Sequence, residues 1–155
     1  MSDASTGDAD KSEKMQDRME MMQARMLGKG FGAVLGPQLV ELDEGFCRMA
    51  LPWREDLSRG DARVHGGVIA ALIDKAGTTA AWAYTDIPEG TLGATVSMNV
   101  NFLEGAVSDM VAEARTVRRG GSIIVVDVDV LNDQGGKVAK GLVTYKLSRP
   151  KPAAL

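Results

Sequence analysis

The feature that most constrains this chain is one long segment of small and apolar residues that contains a single carboxylate. Between Val68 and Tyr84 the only charged residues are Asp74 and Lys75. The apolar residues continue around every side of a helix, and a helix of this kind is buried. The segment therefore predicts one central helix over about residues 67–84, ended by the breaker cluster at residues 86–90.

Strand patterns lie on both sides of this helix. We expect two short strands before it and four longer ones after it, at residues 38–42, 45–51, 95–103, 111–117, 121–131 and 138–147. Consecutive strands with short turns form an antiparallel sheet. The predicted fold class is therefore α+β, a curved antiparallel sheet wrapped around one central helix. Because one sheet covers only one side of a helix, we expect a second copy of the chain to cover the other side.

The beginning of the chain is polar and then changes character. Residues 1–13 offer nothing to bury, so we expect a disordered polar tail, followed by a single domain over residues 14–150 and a C-terminal tail at 151–155. Four methionines then recur at helical spacing and predict an extra N-terminal helix, which the glycines at 28, 30 and 32 end: Met15, Met19, Met22 and Met26. Such a stripe fits packing in a core or interface, and a flexible lid over an apolar ligand is the alternative.

Several classes of function are disfavoured by composition and order. The sequence at Gly28–Ala33 matches the letters of a dinucleotide-binding motif, but it follows a helix and precedes a predicted strand, the reverse of what that motif needs. A net charge of −3 argues against nucleic acid as the main partner. One cysteine, Cys47, and one histidine, His65, cannot form an internal disulfide or a structural zinc site. We expect no metal, no cofactor, no membrane span, and a cytoplasmic location.

Asp74 is the first candidate for chemistry. A charge inside an apolar helix is costly to bury unless it is paired or used. At the start of the same helix, Gly66 and Gly67 present backbone N–H groups that favour developing negative charge, as in an oxyanion hole. Glycine there also lets a substrate approach the backbone closely, so Gly67 is a candidate substrate contact. Asp74 lies about two helical turns, or ~11–12 Å, further on. One carbonyl group cannot touch both elements, so joint action requires a site shared between two subunits.

The stretch HGGVIAALIDKAGTTAAW, from His65 to Trp82, resembles the signature of hotdog-fold acyl-CoA thioesterases of the phenylacetate-pathway (PaaI-like) type. It is also similar to the human mitochondrial member of the thioesterase superfamily and to bacterial hydroxybenzoyl-CoA thioesterases. The resemblance extends over roughly Leu51–Lys146, and the acid nine residues after the histidine is its most specific element. It implies a hotdog fold and hydrolysis of acyl-CoA thioesters to free acid and coenzyme A, with coenzyme A as part of the substrate. It further implies a homodimer with shared active sites, assembled into a homotetramer.

The resemblance also implies roles for individual residues. Asp74 matches the catalytic carboxylate, acting as general base or as nucleophile, and Gly66 matches the glycine whose N–H polarises the thioester carbonyl from the partner subunit. His65 matches a histidine that shapes this loop near the thioester. Thr95 and Thr78 match residues that lie beside the acid, Thr95 where some members carry a serine that positions water.

A further element of the resemblance is the turn between the fourth and fifth strands. It falls where family members contact the phosphates of coenzyme A, and it comprises Arg118, Arg119, Gly120, Gly121 and Ser122. Two arginines beside a glycine turn suit phosphate groups, although an ordinary solvated turn is the alternative.

One position departs from the family pattern, and several alternatives stay open. Six residues before the histidine, where members often carry Asn or Gln, this chain has Arg59. His65 could serve only to cap the helix, and Asp74 could be a buried structural acid. A non-catalytic acyl-CoA-binding regulator and an acyl-thioester dehydratase are the alternative functions. The dehydratase motifs do not occur here, and a regulator would be expected to lack the helix acid.

Overall fold

Six antiparallel strands wrap around one long helix. The computed structural model describes residues 4–148, and residues 4–6 by their backbone alone. The helices are α1 (Ala4–Met22), α2 (Gly30–Leu35) and α3 (Gly66–Trp82), with a π-helical turn at Gln23–Leu27 and a 3-10 turn at Glu55–Leu57. The strands are β1 (Gln38–Asp43), β2 (Phe46–Leu51), β3 (Leu92–Phe102), β4 (Met110–Arg119), β5 (Ile123–Asn132) and β6 (Lys137–Ser148). The predicted α+β architecture is confirmed, and each predicted strand is present.

Close packing of α3 on the sheet organises the core. The buried side of α3, including Ile69, Leu72 and Ile73, lies against the inner rows of β4, β5 and β6. Glycine permits this close approach, because a Cβ atom at Gly77 would lie 2.7 Å from a methyl group of Val143. The opposite side of α3, which carries Asp74, is only half-buried. One sheet therefore covers one side of the helix, as the sequence indicated.

The strand β3 forms one edge of the sheet. The strand order is β1-β2-β4-β5-β6-β3, so β3 pairs only with β6. It carries apolar side chains that are largely exposed, with Leu92 at 74%, Val96 at 58% and Phe102 at 55% of their accessible surface. Long exposed apolar edges are templates for pairing with another strand. This edge lies beside the open side of α3, where Thr95 of β3 contacts Asp74.

The N-terminal helix is longer than predicted. It begins at Ala4, so the expectation of a disordered tail is wrong for residues 4–13, and residues 1–3 lie outside the described residues. The exposed side chains of this segment bury little, as predicted. The helix nevertheless extends back from the methionine stripe because elongating a formed helix is far easier than starting one. Lys11 pairs with Glu44 at 3.2 Å, and Lys14 pairs with Asp10 at 2.6 Å.

The methionine stripe belongs to the core. Met15 and Met22 are buried. Met22 belongs to the main hydrophobic core, and Met19 and Met26 pack against that core, which fits the packing interpretation. Arg18 fixes α1 to the end of α3 by donating from Nε to the backbone oxygen of Trp82 at 2.7 Å.

The glycine-rich stretch after α1 contains a second, short helix. We expected it to lead directly into a strand, but α2 intervenes before β1. A Cβ at Gly32 would lie 2.7 Å from the backbone oxygens of Met26 and Leu27, so this glycine lets α2 fold back onto the π-helical turn. A helix stands before the glycines where a dinucleotide site needs a strand.

The C-terminal tail at residues 151–155 lies outside the described residues. No helix within residues 4–148 combines the length and apolar character that crossing a membrane requires.

The tight contact at Gly77 gives a test of the packing. We expect Gly77→Ala to lower the free energy of unfolding by about 1–3 kcal/mol, because the added methyl overpacks the interface with Val143. Alanine is the better helix former, so a loss would isolate the steric effect. Urea unfolding followed by circular dichroism measures it. Gly7→Ala in α1, where no atom lies within 4 Å of the new Cβ, is the matched control and should not destabilise. Equal stability of Gly77→Ala and wild type would contradict the packing argument.

Candidate active site

Asp74 and Thr95 meet on the open side of α3. Thr95 donates from Oγ1 to Oδ1 of Asp74 at 2.6 Å, a short charge-assisted hydrogen bond. Asp74 is half-buried on the helix, and Thr95 is exposed on the edge strand β3. The bond fixes the carboxylate and leaves its second oxygen for another partner. The structure thus brings together two residues that the sequence placed in the same site, while Thr78 lies one helical turn beyond Asp74 on the same face.

A β-bulge directs Thr95 toward the helix. The alternation in the sequence places Thr95 and Met98 on opposite faces of β3, since they are three residues apart. The pairing with β6 is interrupted between Thr95 and Ser97, and Val96 is the extra residue. Thr95 therefore pairs with Tyr145 and Met98 with Val143, both inward-facing residues of β6. Bulges of this kind re-aim side chains next to functional sites, and simple alternation does not reveal them.

The sequence analysis missed Tyr145, which lies near Asp74, and its hydrogen-bond partner Trp82. Trp82 donates from Nε1 to the hydroxyl oxygen of Tyr145 at 3.0 Å. Burial raises the pKa of Tyr145, and the charge of the nearby Asp74 raises it further. The signal available in the sequence was helical spacing, because Trp82 follows Asp74 by two turns on the same face.

His65 caps the start of α3. Its Nδ1 accepts the backbone N–H of Gly67 at 2.9 Å, so this nitrogen acts as the N-cap acceptor. The N–H of Gly67, which we predicted to face substrate, is thereby occupied. The capping alternative for His65 fits this geometry, and its Nε2 edge stays available on an exposed side chain.

Gly66 lines a groove at the start of α3. It is the first residue of α3, and within the described part of the chain no hydrogen-bond acceptor is found for its N–H. The groove has a volume of about 350 Å³, and its apolar wall includes Val64, Ile69 and Phe102. A Cβ at Gly66 would lie 3.5 Å from the ring of Phe102.

One subunit keeps Asp74 and Gly66 apart. Asp74 contacts Thr95 near the start of β3, whereas Gly66 adjoins Phe102 at the end of the same strand. Eight residues of helix separate them, or about 12 Å. The geometry therefore agrees with the expectation that a single reacting carbonyl cannot touch both within one subunit.

The predicted phosphate-binding turn is divided between two faces of the sheet. A second bulge, between Thr116 and Arg118, pairs Arg118 with the half-buried Val125 and Arg119 with the buried Ile124. The two arginines therefore face opposite ways, because cross-strand partners share a face. Arg119, with Gly120, Gly121 and Ser122, lines a depression of about 250 Å³, and Arg118 does not.

Arg119 already has partners. It donates to Asp86 at 2.6 Å and lies 4.0 Å from the ring centroid of Tyr84. The guanidinium holds the pKa of Asp86 below its usual value. Any phosphate that binds in this depression would meet an arginine that is already held in position.

Cysteine chemistry is excluded from the site. Cys47 is buried, its Sγ donates to the backbone oxygen of Ala76 at 3.2 Å, and burial raises the pKa of the thiol to about 12. A thiol of this kind is inert as a nucleophile. Among residues 4–148 no group of three or more His, Cys, Asp or Glu side chains is arranged to hold a metal ion.

Comparison with known proteins places the chain in a family. Residues 62–139, half of the chain, match the sequence pattern of the Thioesterase superfamily. A protein of Halobacterium salinarum that is provisionally assigned as an esterase is 31% identical over 118 residues, which cover 74% of this chain and 78% of that protein. The acyl-coenzyme A thioesterase PaaI of Escherichia coli is 27% identical over 107 residues, which cover 68% and 73%. The chain belongs to the thioesterase superfamily.

Solved structures show the same fold. A thioesterase family protein from Silicibacter pomeroyi superposes with a TM-score of 0.77 at 22% identity, covering 88% of this chain and 99% of that chain. A thioesterase from Haemophilus influenzae gives a TM-score of 0.78 at 19% identity, covering 88% and 94%. The predicted hotdog fold is confirmed. Family membership supports a hydrolase acting on thioesters, whereas the PaaI-like type and the roles of individual residues stay predictions.

The capping bond of His65 gives a second test. We expect His65→Ala to lower the free energy of unfolding by about 0.5–2 kcal/mol, because the N–H of Gly67 loses its acceptor. His65→Asn keeps a side-chain acceptor at the N-cap and should recover most of that loss. Thermal unfolding of the two variants measures the difference. An Asn variant no more stable than the Ala variant would show that the cap contributes nothing.

Proposed function

We propose that this protein hydrolyses acyl-CoA thioesters to the free acid and coenzyme A. The observation that carries the proposal is the Asp74 carboxylate held by Thr95 at 2.6 Å, on the helix face that the sheet leaves open. Membership of the thioesterase superfamily supports the reaction class. Coenzyme A enters as part of the substrate, and the proposed chemistry needs no cofactor and no metal.

The proposed mechanism needs few groups. A water molecule adds to the thioester carbonyl carbon while Asp74 accepts its proton, and the carbonyl oxygen becomes an oxyanion at the N–H of Gly66. The C–S bond then breaks and the thiolate leaves. A thiol has a pKa of about 8.5, so the thiolate departs without a dedicated acid. Direct attack by Asp74, through a mixed anhydride that water then cleaves, is the second route compatible with the same residues.

We propose a homodimer as the unit that completes the site. Asp74 and Gly66 are too far apart in one subunit, so the partner subunit must supply one of them. The exposed edge strand β3 lies beside Asp74 and supports this arrangement, because pairing of two β3 edges would continue the sheet and cover the open side of α3. Assembly of dimers into a tetramer stays a prediction of the family resemblance.

The turn at residues 118–122 is proposed to receive phosphates of coenzyme A. The depression of about 250 Å³ beside Arg119, Gly120 and Ser122 supports this subsite. Arg118 faces the other side of the sheet, so the proposal retains only Arg119 of the two arginines. Gly67 is proposed as a position of close backbone approach rather than as a hydrogen-bond donor, because its N–H serves the helix cap.

The catalytic role of Asp74 is tested by hydrolysis of an acyl-CoA panel with aromatic, short and medium acyl groups. Because Cys47 is buried, a thiol reagent should report the released coenzyme A alone. We expect Asp74→Asn to lower kcat/KM at least ~100-fold with unchanged circular dichroism. Thr95→Val should lower it about 10-fold by freeing the carboxylate, while Thr95→Ser, which keeps the hydroxyl, should stay close to wild type. Equal activity of Asp74→Asn and wild type would reject the mechanism.

The shared site is tested by mixing two inactive variants. Gly66→Pro removes the N–H, and its position suits proline because it is the first helical residue and His65 has extended backbone angles of φ −63° and ψ 136°. We expect this variant to lose about 10²–10³-fold in kcat. After joint unfolding and refolding of Gly66→Pro with Asp74→Asn, mixed dimers contain one intact site out of two.

Random assortment of the two variants should therefore restore about a quarter of wild-type activity. Each variant refolded alone is the control. A mixture no more active than its components, although mixed dimers form, would show that each site lies within one subunit. Saturable coenzyme A binding without hydrolysis of any ester would favour the regulatory alternative.

A further inference from the structure

The groove in front of Gly66 has a basic rim that the proposed mechanism does not use. Arg59 and Arg63 both line this groove, together with the apolar wall that includes Phe102. The departure from the family pattern at Arg59 thus falls on the same groove as the free N–H of Gly66. Since Arg63 is three residues before Gly66, their Cα atoms lie within about 11 Å of each other.

Backbone contacts and a shared carboxylate bring the two arginines together. A β-bridge joins Ser58 to Val64, and the N–H of Arg59 donates to the backbone oxygen of Arg63 at 3.0 Å. Both guanidinium groups then bind Asp61, each with a nitrogen 3.1 Å from its Oδ2 atom. The Arg59 guanidinium, followed by the backbone N–H of Arg63, holds the pKa of Asp61 below its usual value. Asp61 therefore stays ionised and orients the pair.

Part of each guanidinium stays available for a ligand. Asp61 uses Nε and Nη2 of Arg59 but only Nη1 of Arg63. Within residues 4–148 the Nε and Nη2 atoms of Arg63 have no hydrogen-bond acceptor, and these two donors form the fork that binds carboxylate or phosphate in a bidentate manner. Glu104 also lines the groove, but no ion pair between it and either arginine is found in the described residues.

We propose that Arg59 and Arg63 form an anion subsite that binds a negatively charged group of the thioester substrate. The chemistry is that of a carboxylate or a phosphate, supplied either by an acidic acyl group or by coenzyme A. The proposed subsite rests on the proposed function, because its ligand is part of an acyl-thioester substrate. Glu104 repels the same ligand and so limits its affinity.

Binding to the Asp74→Asn protein tests the subsite independently of hydrolysis. Calorimetry compares glutaryl-CoA with the uncharged pentanoyl-CoA, and the corresponding N-acetylcysteamine thioesters, which lack phosphates. The test variant adds Arg59→Gln with Arg63→Gln, and a second adds Arg59→Lys with Arg63→Lys, which keeps the charge. The matched control adds Arg25→Gln with Lys29→Gln, two exposed cations outside the groove.

The outcomes distinguish the two sources of the anion. If the acyl carboxylate binds, the double Gln variant should lose about 10–100-fold more affinity for glutaryl-CoA than for pentanoyl-CoA. If a phosphate binds, the double Gln variant should lose affinity for both CoA esters equally and keep its affinity for the N-acetylcysteamine thioesters. In either case the Lys pair recovers part of the loss, and Glu104→Gln shifts affinity for the anionic ligand in the opposite direction.

Other results would overturn the subsite. Ligand affinities that the Gln pair leaves unchanged, or changes no more than the Arg25 and Lys29 control, would reject it, as would a parent protein that binds none of the four ligands. Failure of the proposed function would give a different result. The wild-type protein would hydrolyse no thioester, yet thioesters would still bind tightly and their binding would depend on Arg59 and Arg63. That result would support the subsite and reject the proposed hydrolase activity.

Discussion

The sheet can bury α3 only because helix and strands pack at very short distance. Gly77 lets the helix approach Val143, and Gly141 of β6 likewise leaves room for Ile73, because a Cβ at residue 141 would clash with a methyl group of Ile73. Because small residues take up one side of the helix, the sheet can curve around it and bury its apolar side chains. The same curvature leaves the other side of α3, with Asp74, outside the core.

At each end of this open side, a local irregularity in the backbone positions a candidate catalytic group. At one end the bulge in β3 turns Thr95 toward Asp74. At the other end His65 caps the helix through Gly67, and Gly66, whose N–H has no acceptor within residues 4–148, lines a groove. Each arrangement gives one polar group a hydrogen-bond partner, namely Oδ1 of Asp74 or the N–H of Gly67, and leaves a neighbouring polar group available. The candidate catalytic groups are therefore positioned by the backbone, and one subunit holds them about 12 Å apart.

Much of the fold was predictable because the pattern in the sequence matches the periods of helix and strand. The apolar segment around Asp74 predicted the central helix to within two residues at each end, and the strand patterns predicted all six strands. The start of α1 at Ala4 was not predictable from burial, because the first part of this helix packs against no core. It is stabilised by continuity with the rest of α1 and by ion pairs such as Lys11 with Glu44. Nor was α2, whose glycines indicate a break when considered alone.

The site was predictable as a set of residue types but not as a geometry. The sequence alone determined that one carboxylate stands in an apolar helix that begins with two glycines, and that the chain would form a sheet around that helix. Which of these residues meet became visible in the folded chain, because a bulge changes the face that a side chain occupies and cannot be recognised from alternation. For that reason Thr95 contacts Asp74, and Arg119 rather than Arg118 shares the face of the buried Ile124. The pairing of β3 with β6 likewise brings Tyr145 near Asp74, although the two residues lie far apart in the chain.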